Sequence, residues 1–193
     1  HFVEAIDKVI MGEKLDRKPE RSELNRIALH EGGHALVAEL VNPGSVSQVT
    51  ITSRGQALGY VRHLPDGDRY LMTQEYLEGQ IAICIAGAIS EEIFLSNRST
   101  GAKSDFMKAL SLAEEMIDAG MTPLGVVNGQ NLPVNLKHET TTAIIREQED
   151  KVKCLLQKRT ETLERIAEIL LESERLDGED LRDLIGSSRC LAG

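Results

Sequence analysis

The chain reads as a mainly α fold with one small β-hairpin. Three observations predict it. Apolar residues recur at the helical period of 3.6 over most of the 193 residues. Only one stretch, Val46 to Arg62, carries strand-like runs around a turn. Aromatic residues make up 3% of the chain and tryptophan is absent, so the core must be packed from Leu, Ile, Val and Ala. The length suits one substantial domain, or one domain with an appendage.

Each element follows from local pattern. Residues 1–13 read as a short amphipathic helix with Phe2, Ala5, Ile6, Val9 and Ile10 on one side. Residues 14–21 are charged, contain Pro19 and read as a linker. A helix from about Ser22 to Val41 follows, with Ser22 as expected N-cap and Glu23 in the first turn, where negative charge suits the helix dipole. Its apolar stripe takes in Leu24, Ile27, Ala28, Ala35, Leu36 and Leu40, and Asn42-Pro43-Gly44 stops it. Val46–Thr52 and Ala57–Arg62 flank the turn Ser53-Arg54-Gly55-Gln56 as a hairpin, and Pro65-Asp66-Gly67-Asp68 makes a further turn. Thr73 is the expected cap of a long helix to about Leu95. A polar loop over 96–104 precedes a helix to about Ala119, which Gly120 ends. Residues 121–138 read as irregular, and 140–172 as helical. The gap between Leu156 and Leu163 marks two helices or one with a kink. A last helix covers about 177–185, with Gly178 as a turn residue.

Charge and cysteine content narrow the function. With 22 basic and 31 acidic residues the net charge is −9, which argues against nucleic acid as a partner. Cys84, Cys154 and Cys190 are far apart and form no C-x-x-C pair, a usage that fits a reducing compartment. Cys84 lies in the longest apolar run, Ile81 to Ile89, which is too short to span a bilayer. The chain is therefore expected to be soluble, with any membrane anchor lying outside it.

The chemistry concentrates in His30-Glu31-Gly32-Gly33-His34, an H-E-x-x-H pattern. Four residues apart on a helix, both imidazoles can reach one metal ion, and Glu31 projects near the same face. The spacing suits zinc, with Glu31 as a general base that is not a ligand. Gly32 and Gly33 in the helix interior each cost about 1 kcal/mol against alanine. Their missing side chains would let another element approach the metal-bearing face, or simply permit tight helix packing.

Two histidines do not complete a catalytic zinc site, which usually has three protein ligands and one open position. No H-x-x-G-x-x-H type extension follows, because Val37 and Leu40 stand there. His1 is terminal, and His63 and His138 lie in turn or loop contexts typical of surface histidines. A carboxylate is the expected third ligand. Glu91-Glu92 and Asp105 are the candidates, and the residues alone leave that choice open.

The segment from His30 to Val37 resembles the zinc motif of the FtsH-type ATP-dependent membrane proteases, peptidase family M41. Val49–Tyr60 is similar to that family's strand and turn. Ala86-Gly87-Ala88-Ile89-Ser90-Glu91-Glu92 resembles its G-G-R-x-x-E-E segment, with Ala88 in place of arginine. Ser99-Thr100-Gly101-Ala102-Lys103-Ser104-Asp105 resembles T-T-G-A-x-N-D, with Ser104 in place of asparagine. Gly120-Met121-Thr122 with Leu124-Gly125 resembles a further family segment, and residues 122–139 are shortened and divergent. The matches run in order from residue 1 to about residue 185.

The resemblance implies a helical zincin-like protease domain over 16–193, and in residues 1–15 the end of an upstream AAA ATPase module. It implies that Asp105 joins His30 and His34 as the third Zn2+ ligand, with Glu31 catalytic. Glu91 then serves to orient a ligand or holds structure. The implied activity is zinc-dependent endopeptidase action on unfolded or extended protein substrates fed by the ATPase module. The full protein is expected to be a homo-hexamer at the cytoplasmic face of a membrane. The chain has no G-x-x-x-x-G-K-[ST] motif and is not expected to hydrolyse ATP itself. Val46–Thr52 is expected to offer an exposed edge for an extended substrate. The alternative is a non-catalytic assembly platform for AAA ATPase subunits with a vestigial or structural metal site.

Overall fold

A computed structural model of the chain describes residues 19–52, 58–64 and 70–190, with side chains through residue 187. The expected helix over 1–13, the two expected turns at 53–56 and 65–68, and most of the expected linker lie outside the described residues. The helices, in chain order, are α1 (Arg21–Val41), α2 (Gln74–Leu95), α3 (Lys103–Asp118), α4 (Val134–Gln157), α5 (Thr160–Ser173) and α6 (Gly178–Cys190). The strands are β1 (Val46–Thr50), β2 (Tyr60–His63) and β3 (Arg175–Asp177). The fold is mainly α with a small antiparallel sheet, as the periodicity predicts. Two compact units share the chain, one drawn from residues up to 65 and from 159 onward, the other from 66 to 158.

In the first unit α1 packs on α5 and carries the sheet beside it. From Ile27 to Glu39 it is buried almost all round, apart from the half-buried Glu31. Ser22 does not cap it. Arg21 is already helical, and Glu20 takes the extended N-cap conformation without a capping hydrogen bond from its side chain. Ser22 is exposed within that turn, past the point where its hydroxyl has a start to cap. At the other end Asn42 N–H closes on the Ala38 carbonyl at 2.8 Å, and Gly44 turns the chain with φ +84°, a conformation that favours glycine.

The buried carboxylate of Glu39, 4% exposed, fixes this turn. It accepts hydrogen bonds from the Gly44 N–H and, at 3.2 Å, from the Val46 N–H, and faces Arg182 of α6 at 3.6 Å. Glu39→Ala strips two backbone donors of their acceptor, each at a cost of about 1–3 kcal/mol where water cannot replace it. Thermal unfolding of this variant is expected to show a loss of about 2–4 kcal/mol. A melting temperature equal to that of the parent would show that the carboxylate does not hold the turn.

The sheet order is β2-β1-β3, all antiparallel. Val46 and Val49 are three residues apart, which breaks a strict period of two, yet both are fully buried. A bulge between Val46 and Gln48 restores both to the inner face. Val49 pairs with Val61 on one side and Leu176 on the other. The sequence reading of β1 as an exposed edge is therefore corrected, because β1 is the central strand with both edges taken. Strand β3 supplies the second neighbour; its first two residues fall between the two helices the sequence predicts, and Asp177, expected to start the last helix, ends the strand instead. Gln48 Nε2 donates to Asp177 Oδ1 at 2.9 Å, and Thr50 Oγ1 to the Glu174 carbonyl at 2.9 Å. Gly178 is not a turn residue but opens α6. It does so against β1, where a Cβ would lie only 2.0 Å from the Val46 carbonyl oxygen.

In the second unit α2 is the centre, packed against α3 and α4. Thr73 caps it as expected, its Oγ1 accepting from Tyr76 N–H at 3.2 Å. Ile81, Ile85 and Ile89 are at most 1% exposed, so the longest apolar run is core. Ser96 ends the helix in the left-handed conformation, φ 60°. Helix α4 begins at Val134, earlier than the irregular reading of 121–138 allowed, because Pro133 takes the N-cap position and its carbonyl accepts the Lys137 N–H at 3.0 Å. The gap after Leu156 is a true break, since α4 ends at Gln157 and α5 starts at Thr160.

Candidate functional site

His30 and His34 stand one turn apart on α1, each 9% exposed. Their Nε2 atoms are 3.0 Å apart and the rings meet edge to face, with centroids 4.7 Å apart. The spacing that suggested convergence thus produces it. Two basic nitrogens point at one place in a largely buried setting.

Glu31 lies a residue round the helix, half-buried. Its side chain reaches the backbone just before β2. A Cβ at Gly59 would stand 2.7 Å from Glu31 Cγ and 2.9 Å from both Glu31 Oε1 and the Thr50 carbonyl oxygen. Sequence reading singled out Gly59 only as part of a resembling stretch. Its proximity to Glu31 is set by the hairpin, and no local pattern signals it.

Gly32 faces elsewhere. A Cβ there would meet Leu163 Cδ1 at 3.0 Å and Ile166 Cγ2 at 3.1 Å, both on α5. At 100° per residue Gly32 is turned well over 150° from His30. Of the two readings of this glycine, tight helix packing holds and a close approach to the histidine face does not. The bare Cα lets α5 brace the side of α1 away from the histidines.

Asp105 belongs to the second unit, in the first turn of α3. Negative charge there is favoured by the helix dipole. The approach to α3 is set by a short 3-10 turn, Thr100–Ala102, whose cap is Ser99. Ser99 Oγ accepts from the Gly101 N–H at 3.3 Å and donates to Glu91 Oε1 at 3.0 Å. Glu91, 1% exposed, therefore anchors the turn that leads into Asp105. Glu92 is a different kind of group. It is one-third exposed and pairs with Arg98 at 2.7 Å and Lys153 at 3.0 Å. Hydrogen bonds from Lys153 and Arg98 hold its carboxyl below the usual glutamate range. Arg98 also reaches Glu149 of α4 at 2.7 Å, so Glu92 serves an ion network that ties α2 to α4.

The other candidates fall away as surface groups. His63 is the exposed last residue of β2, paired in register with Val46, and His138 is exposed on α4 rather than in a loop. His1 lies outside the described residues. Cys84 is 5% exposed and burial pushes its thiol pKa up, as suits a core residue. Among the described residues no helix is long and apolar enough to cross a membrane.

Comparison with known proteins gives a consistent result. The sequence profile of peptidase family M41 matches residues 17–184. The ATP-dependent zinc metalloprotease FtsH of Syntrophobacter fumaroxidans is 37% identical over 206 aligned positions, covering 94% of this chain and 32% of that protein. The protein of the same name from Pirellula staleyi is 46% identical over 131 positions, covering 66% of this chain and 19% of its own length. FtsH 2 of a Thermoanaerobacter species is 34% identical, covering 95% of this chain and 37% of that protein. The chain spans about a third of the length of most curated relatives it matches. A profile match over most of the chain, with relatives above 30% identity along nearly all of it, places this chain in peptidase family M41.

Proposed function

We propose that this chain is a zinc-dependent endopeptidase domain that hydrolyses unfolded or extended proteins. The observation that carries the reading is the His30–His34 pair, with Nε2 atoms 3.0 Å apart on one buried helix turn and Glu31 beside them. Two imidazole nitrogens each about 2.0–2.1 Å from one zinc ion must themselves be roughly 3 Å apart, so the donor pair fits that metal. His30, His34 and Asp105 would be its three protein ligands. Several relatives carry the name ATP-dependent zinc metalloprotease, which agrees with this choice of metal.

A bound zinc ion supplies Lewis acidity toward water and toward a peptide carbonyl. The chain's own residues do the rest. Glu31 accepts the proton of the attacking water and returns it to the leaving amine nitrogen. Asp105 adds a negative charge that two neutral histidines lack. Glu91, through Ser99, fixes the turn ahead of Asp105, a supporting role.

The same reading places an AAA ATPase module upstream, feeding substrate to this domain, in a homo-hexamer at the cytoplasmic face of a membrane. The test is cleavage of a permanently unfolded protein by the purified chain, then by the chain stripped with a chelator, then after zinc is restored. Activity lost and regained with zinc is expected. A chain that binds zinc yet never cleaves, with or without its ATPase module, would instead support the assembly platform.

A further inference from the structure

We infer that Gly59 is a positioning residue for the base Glu31, acting by the absence of a side chain. The inference rests on the proposed peptidase mechanism and adds to it a residue outside the metal motif. Glu31 leaves α1 toward the hairpin, and Gly59 stands immediately before β2. The point where a Cβ would sit on Gly59 is 2.7 Å from Glu31 Cγ, 2.9 Å from Glu31 Oε1 and 2.9 Å from the Thr50 carbonyl oxygen. All three distances are below van der Waals contact. Two of the atoms belong to the base. The third is backbone of the central strand, next to the ladder pair Thr50–Tyr60, and cannot move without opening the sheet.

The geometry distributes the strain of any side chain at this position. The Thr50 oxygen is held by β1, which is paired on both sides. Glu31 has rotatable bonds, so it is the partner that yields. Its Cγ is in the middle of the side chain, so a shift there carries the whole carboxylate with it. Gly59 therefore keeps a slot between helix and sheet in which the carboxylate takes one position. The effect is on proton transfer, which depends on placement to a fraction of an ångström, while the histidines on the same helix keep theirs.

The test is Gly59→Ala in the full 193-residue chain, read in three ways. Zinc per chain is expected to match the parent. Turnover of an unfolded substrate is expected to fall about 100-fold in kcat, the scale of an ångström's misplacement, with KM within a factor of two or so. A rise in KM with kcat unchanged would overturn the proposal and make Gly59 a substrate contact. The third reading does not need activity. Glu31→Ala removes Cγ and Oε1, so any fall in melting temperature caused by Gly59→Ala is expected to shrink in the Glu31→Ala background. An undiminished fall there would assign the clash to the Thr50 carbonyl and overturn the link to Glu31. This stability cycle decides the steric link even if the chain proves to cleave nothing, an outcome that would count against the peptidase reading alone.

Discussion

Glu31→Gln is expected to keep the zinc content and thermal stability of the parent and to lose at least about 100-fold in cleavage of an unfolded protein. The amide has nearly the shape of the carboxylate, so it fills the same slot beside Gly59. It cannot take a proton from water at neutral pH. The proposed ligands lie one residue before and three after, on the same helix, and the substitution leaves both imidazoles in the chain. Elemental analysis and turnover on the same preparation check both halves. Cleavage at the parent rate would remove Glu31 from the mechanism.

The second large effect is expected from Asp105→Ala. A catalytic zinc site has three protein ligands and one open position. Two imidazoles alone leave the ion with half its coordination from the protein and no anionic ligand. Zinc per chain, measured after purification without chelator, is expected to fall from about one to well below it, and cleavage to fall with it. The carboxylate sits in the first turn of α3 and is only half-buried, so the helix itself is expected to persist in circular dichroism. A variant that retains full zinc and full activity would return the third-ligand question to the remaining acidic groups. Glu92 would be a poor successor, because Arg98 and Lys153 already engage it.

How much of this was legible in the sequence depended on the range of the interaction. The histidine pair was legible because its geometry is a property of one helix turn, and a four-residue spacing carries it intact. Thr73 was legible for the same reason, since a cap acts three residues away. The central place of β1 was not. Its second neighbour, β3, is three residues long, too short for any period to register, and the pairing joins Gln48 to Asp177, 129 positions away. The fit of Gly59 against Glu31 was hidden likewise, because a glycine has no side chain to announce what it makes room for. Glu39 shows a third case. In a helical pattern it reads as one more polar position near the end, yet the loop folds back so that the carboxylate serves two N–H groups beyond the helix.

The first unit is written in two pieces, with the whole of the second unit between them in the chain. Synthesis runs from the amino terminus, so α1 emerges long before α5, which braces it at Gly32. The sheet beside it also waits, for β3 follows α5. A chain stopped after residue 158 holds His30, Glu31, His34 and Asp105 together with β1 and β2, but lacks α5, β3 and α6. Native contacts so far apart in sequence form late and at high entropic cost. The packing that braces the histidine helix is thus complete only once α5 and β3 have been made, well after the motif itself.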